Sequence, residues 1–179
     1  MGSFLFQKPK GGEYIVLNIN YLTIYIADDI IMNKAIIEFL RDDHGNQQAL
    51  QFLLEIQEKA KVDKKYEQFF ARIQRGLEFL EHYGVTKDQV VLEIDGIPYT
   101  LRLVKELKAH IPLCEFRVNW LQIGAFRALF FVYYDQGKEI LLFTHAMIKQ
   151  QTSDSEFEKL ILKSKAIMED FLKQPDKFL

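Results

Sequence analysis

The sequence has few of the residues that build a covalent or metal-bound framework. Cys114 is the single cysteine among 179 residues, which excludes an internal disulfide and a thiolate metal cluster. It lies in a strand-like run, so we expect a small buried hydrophobe in a reducing cytoplasm. The four histidines are not spaced as metal ligands. We therefore expect neither a metal nor another cofactor.

An excess of positive charge is also missing. The chain has 23 Lys and Arg residues against 25 Asp and Glu residues, a formal net charge of −2. Nothing in this balance attracts nucleic acid or an anionic membrane to the whole surface. Any role with nucleic acid must therefore depend on a local basic patch.

The N-terminal segment differs in composition from the rest. Its apolar run, 14–27, is interrupted by Asn18 and Asn20 and is too short to span a bilayer. A secretory signal is the alternative, but no small-x-small cleavage site follows. We interpret 1–31 as an extension of uncertain status and 32–179 as the main domain.

A chain that begins at Met32 is predicted to fold cooperatively without the extension. Thermal unfolding followed by circular dichroism checks this. A shortened chain without a cooperative transition would contradict the domain boundary.

Helical periodicity dominates the middle of the chain after a first strand, Ala35–Leu40. Asn46 is expected to cap a helix that continues to about Lys59. A longer helix should end before Gly84, where a left-handed residue belongs. The short connection predicts an antiparallel helical hairpin.

Alternating apolar runs dominate the last third. They predict a three-strand antiparallel meander and a closing helix capped by Ser153 and Glu156. The predicted strands and the turn of the second hairpin are Leu113–Asn119, Phe126–Tyr134, Asp135–Lys138 and Glu139–Met147. The part around Tyr99–Val104 reads equally as a strand or as the start of a helical turn.

Charged residues interrupt these apolar strands, where burial without a partner costs several kcal/mol. They are Arg117, Arg127, His145 and Lys149. Because side chains alternate between the two faces of a strand, every second residue of the last predicted strand should lie on one face of the sheet. That set comprises Leu141, Phe143, His145, Met147 and Lys149.

These motifs, in this order, resemble the RelE/HigB superfamily of type II toxin–antitoxin toxins, in particular its phage-derived HigB-like branch. The motifs are I-I-E-F-L-R-D-D-H-G at 36–45, R-I-Q-R-G-L-E-F-L-E-H-Y-G at 72–84, K-E-L-K at 105–108, E-F-R at 115–117, F-R-A-L-F-F-V at 126–132 and H-A-M-I-K at 145–149. The resemblance covers about residues 35 to 172. It implies an α+β, RelE-like fold: a two-helix hairpin packed on an antiparallel sheet, with a C-terminal helix.

The resemblance further implies a cytoplasmic toxin that cleaves mRNA on the ribosome without a metal and so inhibits translation. The RNA's 2′-hydroxyl attacks the adjacent phosphate, and fixed cations stabilise the developing charge. A cognate antitoxin, expected to be a small helix-turn-helix protein, neutralises the toxin in a hetero-oligomer. No membrane is involved.

Residue roles also follow from the resemblance. Arg127 matches the phosphate-binding arginine of the family's Y-R strand and Arg117 the arginine that ends its E-L-R strand, and both are expected to stabilise phosphate charge. Lys149 matches the basic residue after the last strand and His145 a histidine common in the HigB-like branch, and both are expected to supply or assist proton transfer. Lys105 and Lys108 match a basic RNA-binding segment ahead of the E-F-R strand.

Other functions are compatible with the same residues. A ParE-like inhibitor of DNA gyrase and a degenerate, non-catalytic protein-binding module are the two alternatives. Arg127 could also be an edge-strand arginine paired with Asp135 or Glu139, and Arg117 could simply hold Glu115. His145 could be a half-buried ring with no catalytic part.

Overall fold

The chain divides into two units, Met1–Met32 with Leu179 and Asn33–Phe178. The computed structural model describes residues 2–6, 15–19, 34–94, 96–150, 155–175 and 178. In the first unit, β1 (Gly2–Phe6) and β2 (Ile15–Ile19) pair antiparallel. Whether this segment is dispensable remains a prediction.

The described part of the second unit contains three α-helices and seven strands. In chain order these are β3 (Ala35–Phe39), α1 (Gln48–Ala60), α2 (Lys64–Tyr83), β4 (Val90–Ile94), β5 (Ile97–Leu101), β6 (Val104–Glu106), β7 (Cys114–Trp120), β8 (Gly124–Asp135), β9 (Lys138–Lys149) and α3 (Ser155–Lys173). A short 3-10 helix, Lys108–His110, precedes β7. None of the helices in the described residues is long and apolar enough to cross a membrane.

The helical hairpin confirms the predicted helices but not the predicted first cap. Gln47 precedes α1 and makes no side-chain cap. Asn46 instead lies in the turn before the helix and donates its backbone N–H to Asp42 Oδ1 at 2.8 Å. Asp63 caps helix α2 by accepting a hydrogen bond from the Lys65 N–H, and Gly84, with φ +73°, follows the last helical residue as predicted.

The main sheet has the strand order β3-β9-β8-β7-β6. The predicted meander of β7, β8 and β9 is confirmed, and so are the mixed α+β class and the closing helix. The sheet is mostly antiparallel as predicted, but β3 pairs parallel to β9 from Ala35↔Glu139 to Phe39↔Phe143. The predicted cap residue Ser153 lies outside the described residues.

The segment Tyr99–Val104, which the sequence left open between strand and helical turn, begins in strand β5 and ends at the first residue of strand β6. Strands β4 and β5 form a separate antiparallel pair. The Arg72 guanidinium carbon lies 3.8 Å from the centroid of the Tyr99 ring and 4.0 Å from that of Trp120. Stacked between two rings, this buried arginine links α2 to β5 and to the end of β7.

The central strands are covered on both faces, which explains their nearly continuous apolar sequences. Leu129 and Phe131 of β8 pack in one cluster with Phe157, Ile161 and other residues of α3. On the opposite face, the Phe126 ring stacks on Phe52 of α1. The sheet therefore lies between α3 and the helical hairpin.

A β-bulge in β9 overturns one prediction about side-chain direction. Leu129 pairs with His145 and Phe130 pairs with Phe143, which leaves Thr144 as an extra residue. Leu142 consequently shares the α3 cluster, whereas the Phe143 ring lies 6.2 Å from that of Phe116 on the other face. Leu141 and Phe143 therefore do not share a face with His145, Met147 and Lys149, because the bulge shifts the alternation by one residue.

Gly76→Ala is predicted to destabilise the protein by about 1–3 kcal/mol. A Cβ at this position would lie 2.7 Å from Cζ of the buried Phe116 ring and 3.1 Å from Leu103 Cδ2. This overpacking should exceed the gain in helix propensity of about 1 kcal/mol.

Urea unfolding measures the difference. Glu67→Ala, on an exposed position of the same helix, is the control and should change stability by less than about 0.5 kcal/mol. A Gly76→Ala protein as stable as the unchanged chain would contradict the close packing of α2 on β7.

Candidate nucleic-acid interface

A cavity of about 570 Å³, here called the cationic groove, lies between the main sheet and the first turns of α3. Four of the predicted site residues line it: Lys105, Arg117, Arg127 and Lys149. The remaining lining residues are Leu107, Glu115, Ala125, Gln150, Phe157, Glu158 and Ile161. Residues that are up to 44 positions apart in sequence, from Lys105 to Lys149, thus border one opening.

Strand register accounts for this convergence. Arg117 of β7 pairs directly with Arg127 of β8, so the two arginines leave the same face of the sheet. Lys105 pairs with Glu115, and Lys149 pairs with Ala125 at the neighbouring end of β8 and β9. Directly paired residues have Cβ atoms about 5 Å apart, which places these groups in adjacent rows.

A buried ion pair fixes Arg127. Its Nε lies 2.6 Å from Glu115 Oε1, and its Nη1 donates to the backbone carbonyl of Phe126 at 2.8 Å. Arg127 is 8% exposed and Glu115 is 4% exposed. Burial lowers the pKa of the Arg127 guanidinium, Glu115 opposes that shift, and Arg117 adds to it. The partner is therefore Glu115, not Asp135 or Glu139.

Arg117 is more accessible than Arg127. Its side chain is 29% exposed and its Nε lies 4.0 Å from Glu115 Oε1. That Nε makes no hydrogen bond within the described residues. Two arginines thus share one carboxylate, and most of the donors of Arg117 are left for an anion.

Lys149 ends β9 at the mouth of the groove. Its Nζ lies 4.9 Å from the centroid of the Phe157 ring, in the first turn of α3. This cation–π contact holds the long side chain near the opening without neutralising its charge.

His145 lies under α3 and does not line the groove. The ring is 7% exposed, and its Nδ1 lies 2.9 Å from Ser164 Oγ. Thr144 Oγ1 lies 2.7 Å from the same hydroxyl and 3.1 Å from the Leu129 carbonyl oxygen. Burial lowers the pKa of His145, Lys163 lowers it further, and Asp42 raises it. The structure therefore separates His145 from the cations with which the sequence grouped it.

Lys108 lies in an adjacent cavity, which Lys105 and Arg117 also line. The sequence did not point to Phe157, Glu158 and Ile161 as site residues, because they belong to a helix whose apolar pattern indicates core. It named Glu115 only as an ordinary partner for Arg117. The i, i+2 spacing of these two residues was the available signal, since it places both on one strand face.

The described residues contain no group of three or more His, Cys, Asp or Glu side chains able to hold a metal ion. Cys114 is buried as predicted, and burial raises the pKa of its thiol to about 11. This thiol is a poor nucleophile at neutral pH.

Searches of models of known protein families, of curated proteins and of solved structures find no match to this chain.

Glu115→Ala is predicted to destabilise the protein by about 3 kcal/mol, because it leaves the Arg127 guanidinium buried without its counter-ion. Glu115→Gln should cost less, since the amide oxygen still accepts from Arg127 Nε. The free energy of unfolding in urea measures both. Glu115→Ala combined with Arg127→Met should recover much of the loss, and strictly additive costs would contradict direct coupling.

His145 should make stability fall on acidification below its unfolded-state pKa of about 6.5. Its pKa is lower in the folded protein, so the unfolded chain binds the proton first and gains free energy as pH falls. The slope from this residue is at most about 1.4 kcal/mol per pH unit. Urea unfolding at pH 5.5 and 7.5 should show a smaller difference for His145→Gln than for the unchanged chain. An equal difference would contradict a buried, neutral imidazole.

Proposed function

We propose that the protein is the toxin component of a type II toxin–antitoxin system, with a RelE-like fold, and cleaves mRNA as a metal-independent, ribosome-associated endoribonuclease. The observation that supports this most is the grouping of Lys105, Arg117, Arg127 and Lys149 around one groove. The resemblance to the toxin superfamily assigns phosphate binding or proton transfer to the same residues. Their grouping supplies the fixed cations that the proposed reaction needs.

The charge of the groove supports an anionic substrate. Its lining contains four Lys or Arg residues against Glu115 and Glu158, a formal charge of +2, although the whole chain carries −2. Local excess of this kind attracts and orients phosphates when the net charge does not.

The proposed reaction forms a bond from the 2′-oxygen to phosphorus and breaks the bond from phosphorus to the 5′-oxygen. Arg117 and Arg127 stabilise the charge that develops on the phosphate oxygens. Arginine suits this task because it keeps its proton and presents several donors in a fixed plane. The proton of the 2′-hydroxyl is lost to solvent, and Lys149 gives a proton to the leaving 5′-oxygen.

His145 takes a supporting part in this scheme. Bonded to Ser164 beneath α3, it positions the helix that forms one wall of the groove. The reacting phosphate is accordingly handled by arginine and lysine alone.

The proposal includes a neutralising antitoxin, which follows from the resemblance to the RelE/HigB superfamily. Co-expression of a neighbouring helix-turn-helix protein should restore growth and co-purify with the chain. Continued growth arrest despite co-purification would contradict neutralisation.

Lys149→Ala is predicted to reduce RNA cleavage roughly 100-fold, as expected for loss of a general acid. The chain is induced in a bacterium and new mRNA 5′-ends are mapped, with codon-phased cleavage as the expected result. Lys138→Ala is the matched control, because Lys138 is exposed at the opposite end of the same strand.

Each outcome has a distinct meaning. Unchanged cleavage in Lys149→Ala would contradict the role of that lysine. Growth arrest with DNA-damage signalling and intact mRNA would favour gyrase inhibition over nuclease chemistry. Absence of both would favour a non-catalytic binding module.

A further inference from the structure

A second cavity, of about 630 Å³, adjoins the cationic groove, and we call it the side cavity. Five residues line both cavities: Lys105, Leu107, Arg117, Glu158 and Ile161. Because Arg117 and Lys105 border both openings, a ligand held at the paired arginines can continue into the side cavity without leaving a cationic surface.

The side cavity is itself basic. Besides the residues that it shares with the cationic groove, the side cavity is lined by three further cations, Lys87, Arg102 and Lys108, and by one further carboxylate, Glu106. Lys87 pairs with Glu106 at 3.2 Å, on the exposed surface. Arg102 and Lys108 are exposed and form no ion pair within the described part of the chain. Together the two cavities are lined by seven Lys or Arg residues and three Glu residues, a formal charge of +4.

His110 gives the side cavity a ring. It is the last residue of the 3-10 turn Lys108–His110. The His110 N–H donates to the Leu107 carbonyl at 2.7 Å and fixes this turn. Its Nδ1 is buried and has no hydrogen-bond partner among the described residues. Phosphate-binding cations beside a flat ring are the combination with which proteins hold single-stranded nucleic acid.

We infer that the side cavity is an extension subsite for single-stranded RNA. Arg102 and Lys108 bind phosphates next to the one held at Arg117 and Arg127, and His110 contacts a base. The preferred ligand is therefore an oligonucleotide that spans both cavities, not a dinucleotide. This inference rests on the proposed function and adds to it the length of RNA that the protein prefers.

Binding of two probes tests the subsite. Both are 2′-O-methyl RNA, which lacks the attacking hydroxyl and stays intact, one of two nucleotides and one of ten. Fluorescence anisotropy across a range of salt concentrations gives the affinity and its salt dependence. The Arg102→Ala/Lys108→Ala double variant is compared with Lys64→Ala/Lys138→Ala, which removes two exposed cations that line neither cavity.

The subsite variant should lose roughly tenfold or more in affinity for the ten-nucleotide probe at 0.1 M salt, and its log–log salt slope should fall by about 1.4. Its affinity for the dinucleotide should stay unchanged. Lys149→Ala should weaken both probes, and the control double variant should weaken neither. Circular dichroism confirms that each variant is folded.

Other results overturn the inference in ways that can be told apart. Equal losses for both probes, or no loss for the longer one, would leave RNA binding in the cationic groove but remove the subsite. A control that loses as much as the subsite variant would show that only net charge matters. Failure of the unchanged chain to bind either probe would overturn the subsite, whereas the mapping of mRNA 5′-ends tests the proposed function separately.

Discussion

The single extra residue in β9, Thr144, determines toward which face of the sheet the side chains before and after it point. Before the bulge, Leu142 joins the α3 layer and Phe143 joins the helical-hairpin layer. After it, the parity is reversed, so that His145 lies against Ser164 and Lys149 reaches the ring of Phe157. Without the bulge, the same sequence would turn Lys149 toward the helical hairpin and away from Arg127. The cationic groove therefore depends on this one bulge. The Thr144 hydroxyl donates to the Ser164 hydroxyl and so joins the bulge to α3.

A second constraint is electrostatic. Arg117 and Arg127 are directly paired across β7 and β8, a position in which like charges repel. Glu115 lies on the same face and accepts Arg127 at 2.6 Å while lying 4.0 Å from Arg117. One buried carboxylate thus compensates the more buried arginine and leaves the more exposed one with unused donors. This arrangement allows a concentrated positive site on a chain that carries a net negative charge.

The sequence was informative where local chemistry decides the structure. Helical periodicity located α1 and α2, Gly84 ended α2, and the turn residues between β8 and β9 include Gln136 and Gly137, both with positive φ as a two-residue hairpin requires. Sequence patterns did not predict the features that depend on segments far apart in the chain. The parallel pairing of β3 depends on an edge that only the folded sheet presents, and Gln47 rather than Asn46 stands at the N-cap position of α1. The bulge left no signal because Thr144 is as good a strand residue as its neighbours.

The separation of His145 from the groove limits the chemistry available there. A buried imidazole whose pKa is lowered, and whose Nδ1 is bonded to Ser164, cannot exchange protons with a substrate that α3 keeps away from it. What lines the opening are guanidinium and ammonium groups, which stabilise charge far better than they accept protons, together with the carboxylates of Glu115 and Glu158. A reaction that suits such a site is one in which the substrate brings its own nucleophile. Ribonucleic acid does so through its 2′-hydroxyl, whereas DNA does not, and this difference is why the proposed substrate is RNA.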